Sequence, residues 1–129
     1  MAEHNELGKV GEDAAAFFLS NLDYRLHERN WRYGHLELDI IAEWHGEYVF
    51  VEVKSSRNGR FKNPLDRVDL EKKSNIMSAA AAYLRLKRID SPFRFDVITV
   101  VGTAHPFNIT HYKNAFSADS LALKMRGLG

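Results

Sequence analysis

The chain has 129 residues, an apolar fraction of 45% and a formal net charge of +1. At that length a single domain spanning residues 1–129, with a real hydrophobic core, is the expectation. The absence of cysteine excludes disulfides and thiolate metal sites, and the near-neutral balance does not announce a nucleic-acid binder.

No apolar run approaches the length of a membrane span, and the N-terminus lacks the apolar core of a signal peptide. A soluble cytoplasmic protein that makes no membrane contact is therefore expected. The six histidines form no i, i+4 pair and no zinc-like spacing, and read as surface or turn residues.

In chain order, the first element is a helix from Gly8 to about Leu22. Val10, Ala14, Phe17, Phe18 and Leu22 recur at helical spacing, with Ala15 and Ala16 filling in. Tyr24 to Arg32 reads as a strand of mixed polarity near a sheet edge. Two β-rich runs follow, His35 to Glu43 and Glu47 to Lys54, on either side of His45-Gly46. A two-residue hairpin loop there uses the glycine for its φ > 0 position. Ser55 to Asn63 is a polar loop, and Pro64 precedes a long helix from about Asp66 to Lys87. Leu70, Ile76, Met77, Ala80, Tyr83 and Leu84 form its apolar stripe, and Ala79 to Ala82 permit close packing on a sheet. Arg94 to Val101 is a buried strand, Phe107 to Tyr112 a last strand, and Ala118 to Met125 a short terminal helix. The order is that of an α/β fold, a mixed sheet flanked by helices. The long helix serves as a crossover that makes its two flanking strands parallel neighbours.

An acid interrupts an apolar strand in Val49-Phe50-Val51-Glu52-Val53-Lys54. Burying a lone carboxylate is costly, so Glu52 needs a partner. A His45-Gly46 turn sets Trp44 opposite Glu47, hence Asp39 opposite Glu52 and Glu37 opposite Lys54. Directly opposed side chains share a face, with Cβ atoms roughly 4.5–5.5 Å apart. A one-residue slip would separate them. The register gathers Glu37, Asp39, Glu52 and Lys54 into one polar patch, which is either a solvated hairpin face or a site for a divalent cation. From Lys54 to Lys73 seven basic residues face three acids, a local excess of +4. Such a stripe suits either a polyanion or ordinary solvation.

These residues resemble a known superfamily. Asp39, twelve intervening residues and then Glu52-Val53-Lys54 are similar to the PD-(D/E)xK signature of restriction-endonuclease-like nucleases. More narrowly, Gly8 to about Val101 resembles the YraN-like family of bacterial proteins. The landmarks are Gly8-x-x-Gly11-Glu12-x-x-Ala15, Arg29-Asn30-Trp31-Arg32, Glu37-Leu38-Asp39-Ile40-Ile41-Ala42, the Glu52-Val53-Lys54 strand, Lys72 or Lys73, and Arg94-Phe95-Asp96-Val97. Two departures stand out. Leu36 occupies the position before the first hairpin acid where the family usually has glycine, and Ser55-Ser56 shift to Arg57 an arginine that the family often carries two residues after the motif lysine.

The resemblance implies a restriction-endonuclease-like fold and a metal-dependent nuclease acting on DNA or RNA. The alternatives are a non-catalytic nucleic-acid-binding module of the same fold, or a subunit of a larger assembly. Asp39, Glu52 and the Val53 carbonyl would hold Mg²⁺ or Mn²⁺, and Lys54 would orient the attacking water or stabilise charge on phosphorus. The plainer reading of Asp39, Glu52 and Lys54 is a structural ion pair. Glu12 is implied as an extra acid in the site, or is a first-turn acid favoured by the helix dipole. Glu37 either joins the patch or pairs with a base. Arg57, Arg60 and Lys62, with Lys72 and Lys73, are candidates for phosphate contacts, and Phe61 for base stacking or anchoring the loop. Trp31 and Trp44 read as packing residues, and Asp96 as a structural acid paired with Arg94 or Arg29. Homodimerisation is an arrangement many nucleases use to cut both strands, although no interface stands out.

Overall fold

The computed structural model describes residues 2–61 and 70–117. Helix α1 (Ala2–Asn21) leads into three antiparallel strands, β1 (Arg25–Tyr33), β2 (Leu36–Trp44) and β3 (Glu47–Ser56). Helix α2 (Leu70–Leu86) then carries the chain to β4 (Phe93–Val101), which lies parallel to β3, and β5 (Asn108–Phe116) closes the sheet antiparallel to β4. The sheet order is β1-β2-β3-β4-β5. A five-stranded mixed sheet with helices on both faces is an α/β arrangement consistent with the restriction-endonuclease-like fold. The expected terminal helix and the first residues of the expected long helix lie outside the described residues. No described helix is long and apolar enough to cross a membrane.

The hairpin forms as its turn dictates. His45 and Gly46 adopt φ of 52° and 82°, the two left-handed positions of a type I′ turn. The register runs from Trp44–Glu47 to Ile40–Val51, as the turn requires.

The sheet separates two cores. On one face Ala14, Ala15, Ala16 and Leu19 of α1 cover Ile40, Ala42, Val49, Val51, Ile98 and Val100. On the other, Ile76, Ala79, Ala80 and Tyr83 of α2 cover Leu38, Ile41, Phe50, Phe95, Val97 and Phe116. The α1 stripe differs from the one its larger apolar residues suggested. Val10, Phe17 and Leu22 are exposed, while the small residues face the sheet. The reason is proximity: a Cβ on Gly11 would collide with the Ser55 hydroxyl of β3. A helix seated that close buries alanine and turns phenylalanine outward.

Beyond the cores, one charged group among the described residues is fully buried. Asp96 on β4 has no exposed surface. It accepts bonds from Arg94 Nε at 3.0 Å and from the Asn114 amide at 2.9 Å, and contacts His111 Nε2 at 2.7 Å. Arg94 continues to Glu47 Oε1 and to the Tyr24 hydroxyl. Burial tends to raise the Asp96 pKa, but these partners hold it below the ordinary carboxylate value. Asp96 is thus structural and pairs with Arg94. His111, expected at the surface, is a half-buried residue whose side chain is turned inward onto that acid.

Candidate active site

The site is built where the side-chain alternation of β2 reverses. Pairing with β1 steps from Arg29–Ile40 to Trp31–Leu38, and Asn30 between them takes a left-handed φ of 53°. Pairing with β3 ends at Ile40–Val51. Asp39 faces Asn30 in an unchanged β1 register and lies one step past the last β2–β3 pair. Leu36 and Leu38 pack toward α2, whereas Ile40 and Ala42 pack toward α1, so the alternation of the strand reverses across Asp39. Past the last β2–β3 pair, the Val53 amide donates to Asp39 Oδ2 at 2.9 Å. A side chain, and not the β2 backbone, satisfies that amide.

An open cleft of about 870 Å³ lies over this break. Its walls are Gly8, Lys9, Glu12 and Asp13 from α1, Arg29 and Asn30 from β1, Glu37 and Asp39 from β2, Glu52 and Val53 from β3, and Lys72 from α2. A second cleft, about 300 Å³, runs from the same Asp39 and Glu52 past Lys72 toward Leu36 and Ile76. The carboxylate pair is therefore reachable from two sides.

Asp39 and Glu52 act on each other. Burial, and then the Glu52 charge, push the Asp39 carboxyl up to about 8, while the Val53 amide pulls the other way. Without a cation, Asp39 thus keeps its proton near neutrality. Two oxygen donors forced together in this way suit a hard divalent ion. Among the described residues no three histidine, aspartate or glutamate side chains gather to hold a metal. Glu12 lines the cleft, but its Oε1 is engaged by Arg29 Nη2 at 3.0 Å and Asn30 Nδ2 at 2.8 Å. Burial raises the Glu12 pKa against the pull of Arg29 and Asn30. The donor set is thus two carboxylates with Val53 between them. That fits Mg²⁺, which commonly takes one or two carboxylates and keeps water or phosphate in its other positions.

The bases sort differently from the expectation. Lys72 Nζ lies 2.9 Å from Glu52 Oε2. Its pKa is raised: burial tends to lower it, but the Glu52 charge and hydrogen bond prevail. Lys54 is half-buried next to the site and does not line the cleft. Burial lowers its pKa, opposed by Glu52 and reinforced by Lys72 and Lys73. Lys73 is buried, its Nζ over the Phe116 ring at 5.6 Å, so it is not presented at the cleft. Arg57 and Arg60 lie on the exposed loop after β3, Arg57 in a separate groove with Glu6 and Val10. Phe61 is half-buried, and Lys62 lies outside the described residues. Glu37 pairs with Arg32 at 3.3 Å.

The model of a known family, described as an uncharacterised protein family, UPF0102, matches residues 11–100. The chain belongs to this family. A UPF0102 protein of Bacteroides thetaiotaomicron is 52% identical over 116 residues, which cover 90% of this chain and 96% of that protein. The Phocaeicola vulgatus UPF0102 protein is 48% identical over the same shares. The one from Flavobacterium johnsoniae is 39% identical over 90% of this chain and 98% of its own length. The likeness to UPF0102 proteins thus takes in the whole cleft from Gly11 onward, including Glu12, Asp39, Glu52 and Lys72. Sequence reasoning missed Arg29 and Asn30 as walls of the cleft. The signal for them was present in the Arg29-Asn30-Trp31-Arg32 landmark.

Proposed function

We propose that this UPF0102 protein is a metal-dependent nuclease that hydrolyses phosphodiester bonds of DNA or RNA. The observation that carries the reading is the pair Asp39 and Glu52, held against each other at a break in the sheet, facing an open cleft. Proteins seldom retain such a repulsive pair without a use for it. Asp39, Glu52 and the Val53 carbonyl would hold Mg²⁺ or Mn²⁺. When bound, the ion supplies polarisation of the scissile phosphate and an acidified water.

The chain's own residues supply the rest. The Val53 amide fixes one Asp39 oxygen, so that the other can turn to a ligand. Arg29 and Asn30 hold Glu12 on the wall, where it adds negative potential without occupying the centre. Lys54, whose charged form is strained by burial, would gain most when negative charge grows on the phosphate. Arg57 and Arg60, exposed after β3, and Lys62 would contact the polyanion. The setting for this work is the cytoplasm, with a homodimer where both strands of a duplex are cut.

Calorimetry with Mn²⁺, paired with a cleavage screen over single-stranded, duplex, flapped and four-way substrates, tests the proposal. The parent should bind and cut, and Asp39→Asn and Glu52→Gln should do neither. Equal heats for all three proteins would remove the metal centre and leave Glu52 a structural partner of Lys72. Nucleic-acid binding without cleavage under any metal would favour the non-catalytic module, a reading to which the position of Lys54 off the cleft wall already lends weight.

A further inference from the structure

The contact between Lys72 and Glu52 joins two unequal partners. Glu52 is fixed on β3 with its side chain 8% exposed, and it cannot leave the site. Lys72 stands on the first turn of α2 with its side chain 55% exposed, at the end of a long flexible stem. Lys72 also borders both clefts, so it has open volume to swing into. Lys54 feels the Glu52 charge but forms no close ion pair among the described residues. The ammonium of Lys72 thus stands directly against an oxygen that a divalent ion would need.

We propose that Lys72 is a resident cation that occupies the metal position against Glu52 and must be displaced when a divalent ion binds. Building on the metal-centre reading, this adds a competitor and a second state of the site. In the first state the Lys72 ammonium stands against Glu52 Oε2. In the second state the ion holds both carboxylates, and the Lys72 ammonium is released into the cleft it already lines. There it meets the only class of ligand that would enter with the metal, an anionic phosphate. One lysine would then serve twice, as a guard of the empty site and as a phosphate contact of the loaded one. The exchange also separates the two lysines of the site: Lys54 stays in place, and Lys72 moves.

Two measurements test this. The first is Mn²⁺ calorimetry on the parent, Lys72→Met and Lys54→Met, with folding of each checked by circular dichroism. Affinity for the ion scales with the fraction of protein in the open state. If Lys72 is paired in about 80–90% of molecules, its removal tightens Mn²⁺ binding roughly five- to tenfold. Removing Lys54 relieves only a neighbouring charge and should tighten binding by a smaller factor. The second measurement uses the unmodified protein: competitive amine acylation with and without Mn²⁺, read by peptide mass. Labelling of Lys72 should rise several-fold on metal addition, because its ion pair is broken, while that of Lys54 should not. Metal binding that is equally tight in Lys72→Met, or labelling of Lys72 that ignores the metal, would overturn the exchange and leave the metal centre standing. Failure of every protein to bind Mn²⁺ would overturn both.

Discussion

Replacing Asp39 with asparagine should stabilise the metal-free protein, an unusual outcome for a group at the heart of a site. The carboxyl sits at about 8 in the fold against an ordinary 3.8. An acid whose pKa is raised by folding contributes most at low pH, and its contribution is lost as pH rises from the unfolded value to the folded one. Each pH unit in that window costs about 1.36 kcal/mol. At pH 7 the full cost is roughly 4 kcal/mol, and water admitted by the open cleft reduces it to about 2 kcal/mol. Asparagine reproduces the protonated acid: its carbonyl accepts the Val53 amide, and its NH₂ donates to Glu52. The variant should therefore gain about 2 kcal/mol at pH 7, or roughly 6–10 °C in Tm. The gain should shrink toward pH 4 and grow toward pH 8. Urea titrations of both proteins in EDTA across that range measure it. A variant that is less stable at every pH, or a difference that does not change with pH, would refute the account of Asp39 as a desolvated acid pressed against Glu52.

Gly11→Ala should cost about 1–3 kcal/mol in denaturant unfolding, because the new methyl group meets the Ser55 side chain at the closest approach of α1 to the sheet. Asp96→Ala should cost about 3–5 kcal/mol, since Arg94 would be left buried without its main partner. Parent stability should also fall as pH drops through the lowered pKa of Asp96, a loss absent from Asp96→Asn. Lys54→Ala should abolish cleavage in a gel assay while metal and nucleic-acid binding persist. Replacing Arg57, Arg60 and Lys62 together should instead weaken binding and flatten its salt dependence, by about one unit of slope for each phosphate no longer neutralised.

Much of the fold was legible because its signals are local. His45-Gly46 fixed the turn, the turn fixed the numbering across the hairpin, and the alanine-rich helix between two β-branched runs fixed the parallel crossover. Asp39 and Glu52 were found by the same arithmetic, which places them one step beyond the last registered pair. The break at Asn30 and Asp39 was not legible. It depends on a left-handed asparagine in an otherwise ordinary strand, and asparagine tolerates that conformation without requiring it. The inward face of α1 was misread because the clearance between helix and sheet, not side-chain hydrophobicity, decides which residues fit there. His111 looked like a surface residue because its acid lies 15 positions away on a neighbouring strand. The two lysines of the site could be counted from the sequence, but which of them meets Glu52 depends on how α2 is docked.

The placement of the two tryptophans gives the protein a pair of optical reporters. Trp44 stacks on Tyr24, ring centroids 5.6 Å apart, beside the turn of the hairpin. Trp31 follows Asn30 directly and stands edge-on to Tyr83 of α2 at 5.1 Å. One indole thus watches the turn end of the sheet, and the other watches the seam between the cleft and the helix that carries Lys72. In a Trp44→Phe background, the remaining emission comes from a ring joined by one peptide bond to the cleft wall. Movement of α2 or relaxation at the strand break would change its colour and quenching, so that events at the site could be followed in real time without a label.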